Sequence, residues 1–151
     1  NSPGPGDTYN PPHTLVRPAL RRRFPDANHA GAPLVTLCGS GSPRREFLHV
    51  DDLAAACLHL LTVPDPPDWV NVGTGTDVSI AELAQLIAQT VGYTGQIDYD
   101  RTKPDGTPVK RTDVTRLHQT GWQHRITLAE GLKLTYDSFL DESRTQRLRE
   151  A

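Results

Sequence analysis

The sequence predicts an α/β fold made of several helices and only about three short strands. Helical periodicity recurs along the chain, most clearly in segments that carry their own capping signals, whereas apolar runs typical of strands are few and short. Strands and helices do not alternate over enough of the chain to build a complete doubly wound sheet. Because 151 residues can bury one core, we expect the smaller half of a larger α/β protein.

A loop and then a helix are predicted at the beginning of the chain. Residues 1–13 contain four prolines and two glycines, which favour an irregular backbone. Apolar residues at helical spacing predict a helix over residues 14–27, with its apolar stripe centred on Leu20. Arg23 lies only about 60° from that centre on a helical wheel, so it is the arginine expected to point inward.

The next part of the chain is predicted to form a strand, a helix and a second strand. The apolar run at residues 33–39 is typical of a buried strand. Asp51 or Asp52 is expected to cap a helix that runs to about Val63. The second strand is predicted at residues 69–73.

Capping signals define the following helix. Ser79 and Glu82 form a capping box at the start of a helix predicted over residues 79–91, and Gly92 comes directly after its end. Residues 96–100 then alternate between polar and apolar side chains, as a strand does.

Two further helices are predicted towards the end of the chain. The first covers residues 113–120. The second begins at the capping box of Thr127 and Glu130 and ends near Leu140. Residues 141–151 are highly charged and are expected to fray.

Charge and cysteine content exclude several classes of protein. Lys and Arg number 16 against 18 Asp and Glu, so the chain has no global basic field for nucleic acid. Cys38 and Cys57 form no disulfide or zinc pattern, which suggests a reduced, cytoplasmic compartment. No apolar run is long enough for a membrane span. Because the chain begins at Asn1 and contains no Met, we expect a fragment or a processed product.

Two glycine-rich stretches superficially resemble phosphate-binding motifs. The stretch G-S-G-S-P-R at 39–44 has Arg44 where the dinucleotide fingerprint needs a third glycine, and G-T-G-T-D-V at 73–78 also lacks that glycine. Both are interpreted as tight turns. The histidines are not at metal-ligand spacing and no serine lies in a G-x-S-x-G elbow.

The arginines that follow the first turn leave two interpretations open. Arg44 and Arg45 are adjacent like charges, which cost energy unless Glu46 or an anionic ligand compensates them. The pair therefore belongs either to a solvated basic loop or to a site where a guanidinium fork binds a ligand phosphate. Residues 102–114 are likewise either a surface loop or a mobile flap that closes a basic site.

Three stretches together resemble a known enzyme family. They read GSGSPRREFLHVDDLAAACLHLL, VNVGTGTDVSIAELAQLIAQTVGYTGQIDYDRTKPDGTPVKRTDVTRL and GWQHRITLAEGLKLTYDSFL. They are similar to the carboxyl-terminal, substrate-binding part of the GDP-L-fucose synthases, which are extended short-chain dehydrogenase/reductases. Enzymes of that family epimerise and then reduce GDP-4-keto-6-deoxy-D-mannose with NADPH. The K-P-D-G-T-P-x-K segment combined with R-E-F-x-H-V-D-D makes the resemblance specific.

The resemblance implies roles for particular residues. Arg23 would bind the GDP pyrophosphate, and Arg45 would contact the nucleotide-sugar while Arg44 faces solvent. Lys110 would lie on a segment that folds over the substrate. The remaining implied contacts are Cys38 and Gly39 for the substrate and Asn1 and Ser2 for the cofactor.

Three positions depart from the family's pattern. Leu15 occupies the position of a catalytic histidine, and His13 is the one nearby candidate to replace it. Pro3 replaces an aromatic residue, and Cys38 replaces a tryptophan that would offer a stacking surface. The departure at Leu15 predicts impaired epimerisation, because deprotonation beside the ketone would lack one acid/base group.

The resemblance also implies a domain organisation. Residues 1–140 would form the substrate-binding domain and residues 141–151 a charged tail. The family's Rossmann domain, with its glycine fingerprint and Tyr-x-x-x-Lys pair, is expected to be missing, so the chain alone is not expected to turn over. NADP would bind mostly through that missing domain.

The expected partner is a GDP-sugar, with no nucleic acid and no membrane, and the full-length form is expected to be a homodimer. Two alternatives stay open. The chain is either a non-catalytic remnant or binding module, or part of another extended-family sugar-nucleotide epimerase or dehydratase.

Overall fold

The computed structural model describes residues 23–150, with side chains described up to residue 145. The helices in this range are α1 Phe24–His29, α2 Val50–Leu60, α3 Ile80–Val91, α4 Thr115–Gln119 and α5 Leu128–Glu150. The strands are β1 Leu34–Cys38, β2 Arg44–Arg45, β3 Val78–Ser79, β4 Gln96–Asp100 and β5 Val109–Lys110. The predicted α/β class with several helices and short strands is confirmed.

The strands form two small sheets. β1 and β4 are parallel, with Leu34 opposite Gln96 and Cys38 opposite Asp100. β2 lies in the centre of a second sheet, antiparallel to β3 and parallel to β5. We call this second sheet the three-stranded ribbon. Its strands are two residues long, so it serves to align the loops that enter and leave it rather than to build the core.

The core lies between the first sheet and the helices. β1 buries alternate residues, Val35 and Leu37, which belong to one cluster with Leu83 of α3. Phe24 at the start of α1 is fully buried, and its ring contacts the ring of Tyr93 edge-on at 5.5 Å between centroids. Burial of side chains of this size stabilises the fold by about 1.5–3 kcal/mol each.

The helix predicted over residues 79–91 is confirmed with its capping box. The Ser79 hydroxyl accepts the N–H of Glu82 at 3.1 Å, and the Glu82 carboxylate accepts the N–H of Ser79 at 2.7 Å. Gly92 ends the helix with a left-handed φ of 74°, a conformation that favours glycine. The strands predicted at residues 33–39 and 96–100 and the helix at 113–120 are also confirmed, with slightly shorter bounds.

The predicted cap of α2 was wrong. The cap is His49, whose Nδ1 accepts the N–H of Asp51 at 3.3 Å. Asp52 turns inward, where its carboxylate accepts the N–H of Arg125 at 3.1 Å and that of Ile126 at 2.8 Å. Both aspartates come after the cap residue in the sequence. Asp52 does not cap the helix, because its carboxylate binds the backbone N–H groups of the segment before α5.

The strand predicted at residues 69–73 was also wrong, since this segment has no strand pairing. Side chains hold it instead: Asn71 donates to the carbonyl of Asp113 at 3.2 Å, and the Arg116 guanidinium lies 3.9 Å above the ring of Trp69. These contacts replace the ladder that the apolar pattern suggested.

The last helix is longer than predicted. α5 does not end near Leu140 but continues to Glu150. Side-chain pairs at helical spacing support both the predicted part and the extension, namely Lys133 with Asp137 at 3.1 Å and Arg144 with Asp141 at 3.7 Å. The first predicted helix, over residues 14–27, lies mostly outside the described residues. Among the described helices, none has the length and hydropathy that crossing a membrane requires.

Candidate functional site

The three-stranded ribbon places Arg45 directly opposite Lys110. These residues are register partners on the parallel strands β2 and β5. Opposite residues of neighbouring strands project from the same face, so both cations belong to one face of the ribbon. Within the described part of the chain, no carboxylate lies within 4.0 Å of either cation. This pair is the candidate anion site.

The next positions on the ribbon, Arg44 and Arg111, are neutralised by an aspartate. Arg44 Nε donates to a carboxylate oxygen of Asp77 at 2.5 Å, and Arg44 Nη2 donates to the Asp77 carbonyl at 2.9 Å. Arg111 Nη1 lies 3.8 Å from the second carboxylate oxygen of Asp77, whose side chain is 8% exposed. Arg44 faces solvent as expected, with 41% of its side chain exposed, but its guanidinium is also held by this ion pair.

The hydrogen bond that the Arg44 side chain donates to Asp77 is the main reason that the pKa of Arg44 lies above its ordinary value. Glu82 contributes a weaker contact to Arg44 at 3.5 Å. The described ion pairs of Arg44 are those with Asp77 and Glu82. Arg44 and Arg111 are thus neutralised by Asp77, whereas Arg45 and Lys110 have no described carboxylate partner.

The guanidinium of Arg45 is held in place by backbone oxygens. Its Nη1 donates to the carbonyl of Arg44 at 2.7 Å and to the carbonyl of Thr107 at 2.6 Å. A Cβ built on Gly106 would lie 3.0 Å from Nη2, so the guanidinium is flush against the 106–107 backbone. The Nη2 and Nε groups donate to no other described residue, which leaves them available to a ligand.

The first glycine turn is filled by a carboxylate from the protein itself. Asp105 accepts the N–H of Ser40 at 2.8 Å and the hydroxyl of Ser40 at 2.6 Å. These bonds, above all the side-chain bond from Ser40, hold the pKa of Asp105 below its usual range. The stretch at residues 39–44 is thus a tight turn, as predicted. It is occupied by Asp105, from the segment of residues 102–114, rather than by a phosphate.

A second carboxylate, that of Glu46, joins the other glycine turn to the same segment, residues 102–114. Glu46 is buried and accepts the N–H groups of Thr74 at 2.6 Å, Gly75 at 2.7 Å and Thr112 at 2.7 Å, together with the Thr112 hydroxyl. Burial works to raise the pKa of Glu46, but these hydrogen bonds outweigh it, so its pKa lies below the ordinary value. The turn at residues 73–78 is therefore closed by the protein as well.

Arg23, Cys38 and Gly39 lie along β1 rather than on the ribbon. Arg23 Nη1 donates to the Thr36 carbonyl at 3.0 Å. The N–H of Gly39 donates to the Asp100 carbonyl on β4, so by alternation the Thr36 carbonyl points to the opposite edge of β1. Arg23 thus caps that edge from an exposed position, so the prediction that it points inward was wrong. Cys38 is an exposed free thiol at the end of the strand.

The structure brings together Arg45 and Lys110, which belongs to residues 102–114. Asp105 of the same segment contacts the turn that contains Gly39. No described hydrogen bond or ion pair links Arg23 with Arg45. The positions assigned to catalysis and to the cofactor, namely His13, Leu15, Asn1 and Ser2, lie outside the described residues.

The sequence also contains one Tyr-x-x-x-Lys spacing, at Tyr99 and Lys103, which sequence analysis expected to be missing. Tyr99 is on β4 and Lys103 is in the turn after it, and no described hydrogen bond joins them. Burial raises the pKa of Tyr99, whereas a tyrosine that gives and takes a proton near neutral pH needs a lowered one. This pair is a coincidence of spacing.

Asp77, Asp105 and Glu46 organise the site, and sequence reasoning gave none of them that role. Asp105 occupies the Asp-Gly turn of the K-P-D-G-T-P segment, where an aspartate also has a local explanation. Glu46 was considered only as a partner for an arginine. The partners of these three carboxylates lie 28 to 66 residues away in sequence, beyond the reach of local patterns.

Comparison with known proteins shows which enzymes this chain is similar to. The model of the NAD dependent epimerase/dehydratase family matches residues 1–73. A GDP-L-fucose synthase from Escherichia coli is 51% identical over an alignment that covers 91% of this chain and 46% of that protein. Over residues 1–73 the chain is thus similar to the NAD dependent epimerase/dehydratase family. Its expected resemblance to the GDP-L-fucose synthases is confirmed.

Solved structures of this family share the fold. A GDP-L-fucose synthetase from Naegleria fowleri, bound to NADP, is 27% identical with a TM-score of 0.80, over 94% of this chain and 45% of that one. A UDP-glucose 4-epimerase from Thermotoga maritima is 26% identical with a TM-score of 0.77, over 94% of this chain and 44% of that one. The chain spans less than half the length of these relatives.

The described residues offer NADP no cradle. Asp105 fills one glycine turn and Glu46 closes the other. The first N–H groups of α3 donate to the carbonyls of Gly41 and Pro43 at 2.9 Å each, so this helix N-terminus is also occupied.

Proposed function

We propose that this chain supplies the nucleotide-sugar-binding part of a GDP-L-fucose synthase-type enzyme. The whole protein would convert GDP-4-keto-6-deoxy-D-mannose to GDP-L-fucose with NADPH, and residues 1–140 would form its substrate-binding domain. NADP would bind mostly to a separate nucleotide-binding domain. The match of residues 1–73 to the NAD dependent epimerase/dehydratase family and the similarity to GDP-L-fucose synthases support this proposal.

The observation that carries the proposal is the uncompensated pair of Arg45 and Lys110. Like charges on directly opposite strand positions are unfavourable unless an anion is nearby. The same ribbon uses Asp77 to neutralise Arg44 and Arg111 but gives the Arg45–Lys110 pair no described carboxylate. A diphosphate is the complementary ligand, since it offers two charged groups to a guanidinium fork and an ammonium.

The division of labour follows from the side chains. Arg45 has one nitrogen fixed on backbone carbonyls and presents its remaining N–H groups in a set orientation, so it would orient one phosphate. Lys110 is exposed and flexible and would act as a point charge on the second phosphate. Arg23 would contribute from the other side of the bound pyrophosphate. The chain by itself is proposed to bind without turning over.

Calorimetry of GDP-L-fucose binding to the 151-residue chain tests the proposal. A charge-assisted hydrogen bond contributes about 1.5–3 kcal/mol, so Arg45→Ala is expected to weaken binding by about 10-fold or more. Lys110→Ala should weaken binding less than Arg45→Ala does, because an exposed ammonium that stays solvated contributes less binding energy than an oriented guanidinium. The matched control is Lys133→Ala, an exposed lysine on α5 that is remote from the ribbon.

Two results would contradict the proposal. One is no measurable binding of GDP-L-fucose, which would favour a remnant that has kept the fold alone. The other is Arg45→Ala with the same affinity as Lys133→Ala, which would place any nucleotide site elsewhere.

Another extended-family activity is the second candidate, and the similarity to a UDP-glucose 4-epimerase favours it. Leu15, at the expected position of a catalytic histidine, instead supports the alternative of a non-catalytic remnant. Turnover by the whole enzyme of GDP-4-keto-6-deoxy-D-mannose, compared with UDP- and dTDP-sugars, separates the two candidates. We further propose that the whole enzyme is a cytoplasmic homodimer, which gel filtration and cell fractionation test.

A further inference from the structure

Residues 105–108 are held by hydrogen bonds at three points, to β2 of the three-stranded ribbon and to the glycine turn before it. The Asp105 carboxylate accepts two hydrogen bonds from Ser40, at 2.8 and 2.6 Å. The Thr107 carbonyl accepts Arg45 Nη1 at 2.6 Å, and the Pro108 carbonyl accepts the N–H of Arg44 at 2.7 Å. Lys110 follows two residues later. The position of Lys110 opposite Arg45 therefore depends on how this segment is anchored.

The anchor at Asp105 has no room for adjustment. A Cβ built on Gly39 would lie 2.5 Å from Oδ1 of Asp105, and the φ of Gly39 is +86°, in the left-handed region. The carboxylate is thus pressed against the glycine backbone. Ser40 is fixed in turn, because its hydroxyl also contacts the Ser42 hydroxyl at 2.7 Å and accepts the N–H of Ser42 at 3.1 Å. We call the contact between Asp105 and Ser40 the clasp.

We propose that Asp105 is a positioning residue for the nucleotide-sugar: the clasp holds the 105–108 backbone so that Thr107 orients Arg45 and Lys110 stands opposite it. This inference rests on the proposed function, because it deepens the role of the same site. Asp105 does not itself touch the ligand.

Simple electrostatics predicts the opposite effect. A carboxylate close to an anion site repels the anion, so removal of its charge should tighten diphosphate binding. The clasp predicts that loss of the hydrogen bonds loosens Arg45 and weakens binding. Two variants with the same change in charge separate these effects. Asp105→Ala loses both charge and clasp, whereas Asp105→Asn loses the charge but keeps one oxygen for the Ser40 N–H and an amide that can donate to the Ser40 hydroxyl.

The test is calorimetry of GDP binding to the full 151-residue chain. Asp105→Ala is expected to weaken GDP binding at least 5-fold, and Asp105→Asn should restore affinity to within 2-fold of the unsubstituted chain. In an Arg45→Ala background, Asp105→Ala should cause less than a 2-fold further loss, because the clasp acts through Arg45. A merely structural role would lower affinity independently of Arg45.

Hydrogen exchange measured by NMR supplies a readout that does not depend on a ligand. The N–H groups of Ser40 and Arg44 are bonded to the clasped segment, so both should exchange faster in Asp105→Ala than in Asp105→Asn. The control is Asp113→Ala. Asp113 also accepts an N–H and a hydroxyl, from Thr115, but this contact is local to the start of α4 and does not join two segments.

The outcomes distinguish the two proposals. GDP binding by the unsubstituted chain, with Asp105→Ala equal to Asp105→Asn or additive with Arg45→Ala, would overturn the clasp and leave the proposed function intact. Absence of GDP binding by the unsubstituted chain would overturn the proposed function and this inference with it. Weaker binding by Asp105→Ala alone, with faster exchange at Ser40 and Arg44, supports both.

Discussion

Replacing Glu46 by glutamine tests whether one buried carboxylate holds the site's loops together. One of its oxygens accepts the N–H groups of Thr74 and Gly75, at 2.6 and 2.7 Å. The other accepts the N–H of Thr112 at 2.7 Å and the Thr112 hydroxyl. A glutamine side chain can supply only one of these oxygens. Its NH₂ group would then face a backbone N–H that has no other acceptor.

The cost can be worked from these contacts. If glutamine keeps the oxygen towards Thr74 and Gly75, the Thr112 hydroxyl can rotate to accept from the new NH₂, but the Thr112 N–H is left unpaired. A buried unpaired N–H costs about 1–3 kcal/mol. The two bonds that remain change from a charged to a neutral acceptor and lose about 1 kcal/mol each. We therefore expect Glu46→Gln to lower the free energy of unfolding by about 3–5 kcal/mol.

Urea unfolding at pH 7, followed by circular dichroism, measures this loss. The matched control is Glu130→Gln. Glu130 is exposed and accepts an N–H and a hydroxyl from Thr127 in the capping box of α5, so its replacement should cost no more than about 1 kcal/mol. A free energy of unfolding for Glu46→Gln that lies within about 1 kcal/mol of the value for the unsubstituted chain would contradict this prediction.

The pH dependence gives a second check on Glu46. Its folded-state pKa lies below the ordinary value because hydrogen bonds from Thr112, Gly75 and Thr74 outweigh the opposing effect of burial. A depressed folded pKa contributes stability that is present above the unfolded pKa and lost as pH falls through the folded pKa. The difference in stability from Glu46→Gln should thus be constant near neutrality and shrink in acid. A difference that grows in acid would contradict this sign.

Two further predictions concern stability. Asp52→Asn should lower the free energy of unfolding by about 2–4 kcal/mol, because its buried carboxylate accepts the N–H groups of Arg125 and Ile126; a loss below 1 kcal/mol in urea unfolding would contradict this. Ser79→Ala should cost about 0.5–2 kcal/mol through the capping box with Glu82, and a Ser79→Asp variant, which keeps a cap acceptor, should recover most of the thermal stability.

The elements that the sequence predicted well are those with local signals. α3 has its cap, its apolar stripe and its terminal glycine within 14 residues, and all three are observed. Where the outcome depended on distant contacts, prediction failed. Asp52 looked like a cap because of its position, but its partners are 73 and 74 residues further along the chain. Trp69 and its neighbours looked like a strand, yet no strand pairs with them.

The candidate site shows the same limit. Spacing alone left Arg44 and Arg45 equivalent, and only the resemblance favoured Arg45. The structural distinction comes from Asp77, which is 33 residues from Arg44 in sequence. Local patterns contain no information about such a pairing, because it is created when β3 aligns with β2. The register of the ribbon could not be read from strands of two residues.

The two faces of the ribbon explain why adjacent arginines have different roles. Successive residues of a strand project to opposite faces, so Arg44 and Arg45 necessarily meet different partners. Arg44 meets Asp77 and becomes part of the scaffold, whereas Arg45 meets Lys110 and the carbonyl of Thr107. A shift of β2 by one residue would exchange these partners and place the ion-paired face towards the ligand. The glycine turn before β2 therefore fixes the register that the proposed binding site needs, and the contact of Ser40 with Asp105 holds that turn.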